Sequence, residues 1–274
     1  MRMRRRQGRQ RTPGDEAGSG WIVTVALCWI LFSAPPVEAL AAATSPFLAF
    51  LEQVWREASV RGVSRATFDA AFKGVEPDLA LPDLAVPGSG GGERKVQQAE
   101  FVRPPAEYLN PKTLTNLTGS AQTLARQWGP TLGQIEQKYG VPRAMVLAIW
   151  GRETAFGTYK PPHYAIKVLA TQAYLGRRKE KFREELILAL KMIEERHVAI
   201  PEFRASWAGA FGLTQFLPTD FYKFAVDFDG DGKRDLWNSL PDVFASTANY
   251  LAKAGWQTGL PFGIEVKLPA NFPY

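Results

Sequence analysis

Apolar residues recur at steps of three and four along most of this chain, the pattern of helices that bury one face. Phe47, Phe50, Leu51, Val54 and Trp55 share one face within Ser45 to Lys73, and Phe68 with Phe72 share the next, so that stretch predicts two short helices. Leu124, Trp128, Leu132, Ile135 and Tyr139 keep the same spacing ahead of a further helix over Val141 to Gly157. Phe182 to His197 carries Leu186, Leu190 and Ile193 on one side, and Asp242 to Ala254 carries Val243, Ala245, Tyr250 and Leu251. Only Gly263 to Leu268 alternates as a strand would. The class predicted is mainly α, with little β structure and no internal repeat.

Pro77, Pro82 and Pro87 with the run Gly88 to Gly92 interrupt this pattern and read as a linker. The chain therefore divides into a helical segment over 40–76, a Pro/Gly-rich linker over 77–99 and a main domain over 100–274. The first 39 residues differ from all of these. Six Arg between Arg2 and Arg11 precede an uncharged, mostly apolar run of fourteen residues from Trp21 to Ala34, and Val37-Glu-Ala39 offers small residues at cleavage spacing. Fourteen residues are short for a bilayer span of about 20, so residues 1–39 read as a secretory signal peptide, with an uncleaved membrane anchor as the alternative.

Cleavage after Ala39 removes six Arg and three acids, which lowers the formal charge of +6 to +3. No Lys/Arg run remains that argues for nucleic acid. Cys28, the sole cysteine, lies inside the apolar run, so the mature protein is expected to have neither thiol nor disulfide.

Within Val141 to Gly157, Met145, Val146, Ile149, Trp150, Glu153 and Phe156 fall on one helical face, and Glu153 is the only charge among them. Pro142 suits the first turn of that helix and Gly157 its end. A carboxyl held there loses water, which disfavours its charged form and raises its pKa. A general acid working near neutrality needs that shift. Arg152, next in sequence, points about 100° away and is a poor partner for Glu153.

Other hydrolytic chemistries lack their residues. His163 and His197 are the only histidines and stand in no H-E-x-x-H pattern, so a zinc peptidase is excluded. Neither Ser-x-x-Lys nor Gly-x-Ser-x-Gly occurs. Carboxylate chemistry is what is left.

Ser206 to Thr219 interleaves small residues at 208, 209, 210 and 212 with Trp207, Phe211 and Phe216, and Gln215 is its single amide. Small residues allow a ligand close to the backbone, while aromatic faces and an amide suit sugar rings and N-acetyl groups. A Gly/Ala-rich helix contact accounts for the same composition.

Asp227 to Asp235 matches the start of a calcium loop. Asp227, Asp229 and Asp231 take positions one, three and five, Gly232 the sharp turn, the Lys233 carbonyl position seven and Asp235 position nine. Position twelve is Asn238 instead of the bidentate Glu, and Asp242 stands close enough in sequence to supply the missing oxygens. Such a site is structural, with no catalytic cofactor implied; an ordinary Asp-Gly turn is the alternative.

Gly140-Val-Pro142 leading to Gly151-Arg-Glu-Thr154, then Ala208 to Pro218, then Ala225 to Gly232 with Leu236-Trp237, and finally Ala248-Asn-Tyr-Leu251 with Gly255-Trp256 stand in the order found in one family. From about residue 47 onward the chain resembles the membrane-bound lytic murein transglycosylase B family (glycoside hydrolase family 103, lysozyme-like fold). Glu100-Phe101 and Tyr108-Leu109 fit its N-terminal part. The resemblance implies cleavage of the β-1,4 bond between N-acetylmuramic acid and N-acetylglucosamine in peptidoglycan. Glu153 is then the single acid/base, Ser206 and Gln215 line the glycan cleft, Tyr108, Asn249 and Tyr250 complete the pocket, and the Asp227 loop with Asp242 binds calcium. It also implies a periplasmic monomer that acts on glycan strands, with loose association with the membrane or other wall enzymes. Two departures stand out: Lys181 occupies a position where relatives often carry an aromatic residue, and relatives continue for some tens of residues past Tyr274.

Glycosidases ordinarily flank the bond with two carboxylates. The Glu153 motif offers one, so the expected reaction is substrate-assisted and closes a 1,6-anhydro ring without water. A muramidase of the same fold that uses water, and a wall-binding protein without turnover, are the rival readings.

Overall fold

A computed structural model describes residues 45–85, 107 and 109–272. The signal-peptide reading over 1–39, the remainder of the linker over 86–99, and Tyr108 lie outside the described residues. No helix among the described residues is long and apolar enough to cross a membrane.

The described chain is mainly helical, as expected. Its helices are α1 (Pro46–Val60), α2 (Arg65–Phe72), α3 (Pro111–Gln127), α4 (Gly129–Tyr139), α5 (Arg143–Thr154), α6 (Ala165–Leu175), α7 (Lys179–Glu194), α8 (Pro218–Phe224) and α9 (Leu240–Lys253). The strands β1 (His163–Tyr164) and β2 (Arg204–Ala205) pair antiparallel, with His163 opposite Ala205 and Tyr164 opposite Arg204. Local chemistry sets several starts. The side chains of Ser64, Asn110 and Ser239 accept hydrogen bonds from backbone N–H groups of the first turns of α2, α3 and α9. Pro46 and Pro111 begin helices where no N–H is required.

α6 is apolar around most of its circumference, the mark of a helix enclosed by others. Ile166, Val168, Leu169, Ala170 and Ala173 are all buried. α7 lies alongside it, and α1, α2 and α8 pack on α7. α9 packs across α4 and α5, where Phe244 meets the rings of Trp128 and Trp150 edge-on at 6.0 and 5.3 Å. The two N-terminal helices belong to the same core cluster as α6 and α7. Paired groups fasten them: Arg183 to Glu57 at 2.7 Å, and Glu194 to both the N–H and the hydroxyl of Ser64.

The apolar stripe from Leu124 to Tyr139 is carried by two helices, because Pro130 near the start of α4 has no N–H to continue α3. Two expectations are revised. The first nine residues of the expected linker, 77–85, rest on α6. Asp78 N–H reaches Thr171 Oγ1 at 3.0 Å, Gln172 donates to the Pro82 carbonyl at 2.9 Å, and Leu81 is buried. Gly263 to Leu268 forms no strand; it is extended and exposed without a pairing partner among the described residues.

Candidate active site

α5 buries a line one step from the one expected. Val146, Leu147, Trp150, Gly151 and Thr154 are buried, Met145 and Ile149 are half-buried, and Glu153 is reachable from solvent at the edge of that line. Gly151 explains the shift: glycine adds nothing to an apolar stripe in sequence, yet here it is a packing surface. A Cβ at Gly151 would stand 2.6 Å from the ring of Phe156. That ring crosses Trp150 at 5.2 Å and 88°.

Glu153 is therefore accessible but not fully hydrated. Protein atoms around the carboxyl displace part of its water and raise its pKa, and the Arg152 guanidinium works against that shift. The expected direction holds, although the group is not enclosed.

The helix ends at Thr154, before Gly157. Ala155, Phe156 and Gly157 follow with φ of 48°, 56° and 81°, three left-handed residues in succession. For the two non-glycine residues this conformation costs about 1–2 kcal/mol each. The Thr154 hydroxyl holds the turn. It accepts from Gly157 N–H at 3.2 Å and donates to the Leu213 carbonyl at 2.9 Å, which ties the Glu153 end of α5 to the Ser206–Phe216 segment.

That segment is a folded loop, and one of its small residues does serve a helix contact: a Cβ at Gly209 would stand 2.3 Å from Leu169 of α6. Phe211 and Phe216 exchange backbone hydrogen bonds at 2.9 and 3.1 Å, and Ser206 N–H reaches the Ala210 carbonyl. Gly212 has φ of 71° and stands against Leu236. The Ser206 hydroxyl oxygen accepts from Ala208 and Ala210 N–H, leaving its O–H to donate. Gln215 is half-buried with a left-handed backbone at φ 55°, and its amide donates to the Gly212 carbonyl. Tyr250, partly exposed, packs on Phe216 at 5.8 Å and on Phe224 at 4.8 Å. Asn249 donates its amide to the Phe224 carbonyl, so half of that side chain serves the end of α8.

A separate trough of about 460 Å³ lies between α3 and α5, lined by Leu114, Leu117, Ala121, Leu147 and Gly151 with Arg143 and Arg152 at its edge. Neither Glu153 nor Gln215 is on its wall, so it is not the centre of the chemistry.

The Asp loop brings Asp227, Asp229 and Asp242 together, each offering one carboxylate oxygen, and these atoms lie within 4.8 Å of one another. Gly232, at φ 88°, donates its N–H to Asp227, forming the sharp turn such a loop needs. Three converging hard oxygens fit a calcium ion. Burial and the neighbouring Asp229 raise the pKa of Asp242, a strain that a divalent cation relieves. Asp231 and Asp235 stand outside this trio and bind backbone N–H groups, of Lys233 and of Trp237 with Asn238.

The transglycosylase SLT domain family matches residues 46–274. The chain belongs to that family. Membrane-bound lytic murein transglycosylase B of Escherichia coli (strain K12) is 30% identical over 188 residues, which is 68% of this chain and 51% of that protein. The structure of SltB3 from Pseudomonas aeruginosa in complex with NAG-NAM-pentapeptide superposes with a TM-score of 0.70 at 38% identity, covering 82% of this chain and 58% of that one. The Escherichia coli lytic transglycosylase Slt35 in complex with calcium gives a TM-score of 0.51 at 26% identity, covering 76% and 55%. The chain thus spans about half the length of the curated relative it matches.

Two features escaped the sequence. The run of left-handed residues after α5 carries no glycine until Gly157, and the hydroxyl of Thr154, within a recognised motif, gave no sign of its partner 59 residues away.

Proposed function

We propose that this chain is a peptidoglycan lytic transglycosylase that cleaves the MurNAc-β-1,4-GlcNAc bond with formation of 1,6-anhydro-MurNAc. Glu153 carries this reading. It is a solvent-reachable carboxyl whose charged form is disfavoured, on a helix end tied through Thr154 to the loop of Ser206 and Gln215. Among the described residues, Arg152 is the charge that acts on it, and no carboxylate does so. That suits a reaction in which the substrate supplies the second group.

In the first step Glu153 gives its proton to the glycosidic oxygen as the C1–O bond breaks, while the 2-acetamido carbonyl oxygen bonds to C1. In the second, the Glu153 carboxylate takes the proton of the C6 hydroxyl. O6 then bonds to C1 and displaces the acetamido oxygen. Positioned proton transfer of this kind contributes about 10²–10⁴-fold. The Ser206 O–H and Gln215 orient the acetamido and hydroxyl groups, Tyr250 offers a ring face, and Asn249 stands beside it; a role for Tyr108, outside the described residues, rests on the family resemblance. Calcium at Asp227, Asp229 and Asp242 is structural. The site of action is the periplasmic cell wall, reached through residues 1–39.

Glu153→Gln tested on purified sacculi decides the assignment. The parent is expected to release anhydromuropeptides, lighter by one water than a hydrolysis product, and the variant to lose at least about 100-fold. Substantial release by the variant refutes the role of Glu153; reducing-end products from the parent refute the transglycosylase reaction in favour of hydrolysis.

A further inference from the structure

We infer that Thr154 is a positioning residue, whose hydroxyl fixes Glu153 against the Gln215 loop by bridging the Gly157 N–H and the Leu213 carbonyl. The inference deepens the proposed function and rests on it for its kinetic arm only.

The bridge is well placed to do this. Thr154 is 1% exposed, and its hydroxyl uses its proton on Leu213 and a lone pair on Gly157. Leu213 is held from its other side by its own N–H to the Leu236 carbonyl at 2.9 Å, so it is a fixed anchor. Leu236 follows Asp235, whose N–H reaches Asp242 at 2.9 Å. A line of hydrogen bonds thus runs from the Asp loop through Leu213 to the residue beside Glu153. On the near side, the left-handed residues 155–157 do not hold their conformation by preference; glycine apart, it is disfavoured. The Thr154 hydroxyl shares the closure of this turn with the Thr158 hydroxyl on the Ala155 carbonyl and with backbone bonds from Phe156 N–H to the Trp150 carbonyl and from Tyr159 N–H to the Thr154 carbonyl, and it alone of these reaches across to Leu213. Gly157 also packs against the Leu213 side chain, where a Cβ would come within 3.1 Å. Two residues beyond Leu213 in the same loop, Gln215 is left-handed as well, and its amide is tied to the carbonyl of Gly212, the residue before Leu213.

Loss of the hydroxyl therefore removes the side-chain link between two segments with left-handed backbone, both of which bear on the acid. The isosteric variant Thr154→Val removes the bridge without removing volume, and Thr154→Ser keeps the hydroxyl. On sacculi, Thr154→Val is expected to lower kcat roughly 10- to 100-fold, the scale of an ångström misplacement, with KM changed less than about threefold because glycan contacts remain. Thr154→Ser is expected to restore kcat to within about threefold of the parent. The second readout needs no turnover: the pKa of Glu153, followed by carboxyl ¹³C shift in the folded proteins, should fall toward the ordinary value in Thr154→Val and stay raised in Thr154→Ser. Equal titration and equal kcat for Val and parent overturn the inference, as does a Ser variant that behaves like Val. Should the parent release no anhydro product, the functional proposal fails, and the titration still decides the role of Thr154.

Discussion

Gly212→Ala isolates how tightly the Gln215 loop is built. Two costs meet at this position. Its φ of 71° is left-handed, worth about 1–2 kcal/mol for an L residue. A Cβ would also stand 2.9 Å from the Leu236 carbonyl oxygen, a backbone atom already engaged by Leu213 N–H. Overpacking against a group that cannot yield adds about 1–3 kcal/mol. Reduced freedom of the unfolded chain returns about 0.4–1 kcal/mol. The net is roughly 1–5 kcal/mol, or about 2–18 °C in Tm for a chain of this size. Gly62→Ala is the matched control: its φ is 89°, and a Cβ there meets nothing within 4 Å. It bears the backbone cost alone and should lose no more than about 6 °C. Thermal unfolding by circular dichroism compares the two. Shifts equal within 2 °C would show that the Leu236 contact gives way freely, and the claim of a rigid loop would be wrong.

Glu185 is 2% exposed, accepts from Thr219 N–H at 2.9 Å and its hydroxyl at 2.8 Å, and has its pKa raised by burial. A raised folded pKa contributes stability below the unfolded value and loses it as pH climbs through the folded one. Glu185→Gln should therefore gain Tm relative to the parent as pH rises above 4.5, and a relative loss refutes this. Calcium at a hundredfold its dissociation constant should stabilise by about 2.7 kcal/mol, read as a higher Tm that Asp229→Asn abolishes; a parent unmoved by calcium and chelator rules the site out. Arg152→Gln removes the cation that holds the Glu153 pKa down, so the alkaline limb of the pH–rate profile should move to higher pH, and an unmoved or lowered limb contradicts the assigned field.

Helix spacing made the fold legible because most helices here bury one side, and steps of three and four report that directly. The caps Ser64, Asn110 and Ser239, which set the starts of α2, α3 and α9, went unread, because single polar residues leave no periodic trace. The failures have physical causes. The strands β1 and β2 are two residues each, too short for any periodicity to register. Residues 77–85 have no repeat because single contacts hold them, such as Thr171 to Asp78 and Gln172 to Pro82. In the site, Glu153 was legible as a lone acid in an apolar helix, and Asp227, Asp229 and Asp242 as a loop with a later partner. Which face of α5 is buried was not, because Gly151 and Thr154 pack there and neither is apolar by composition. Gln215 was legible as an amide among small residues, but its left-handed backbone was not, since only glycine announces that conformation.

Under the proposed function the acid has to reach a polymer and so cannot be buried beforehand, which reconciles the openness of Glu153 with its raised pKa. In the free protein, partial desolvation already favours the protonated form, against Arg152. A glycan strand laid over the exposed side of Glu153, as that function requires, would displace the remaining water and, being uncharged at its sugar rings, would supply no compensating cation. Desolvation then increases while Arg152 stays fixed, so the carboxyl of the complex should hold its proton to still higher pH. kcat reports the complex and kcat/KM the free protein. The alkaline limb of kcat is thus expected at higher pH than that of kcat/KM, measured with soluble glycan fragments across the range above 4.5. Coincident limbs would mean that bound substrate leaves Glu153 hydrated, and the acid's strength would have to come from the protein alone.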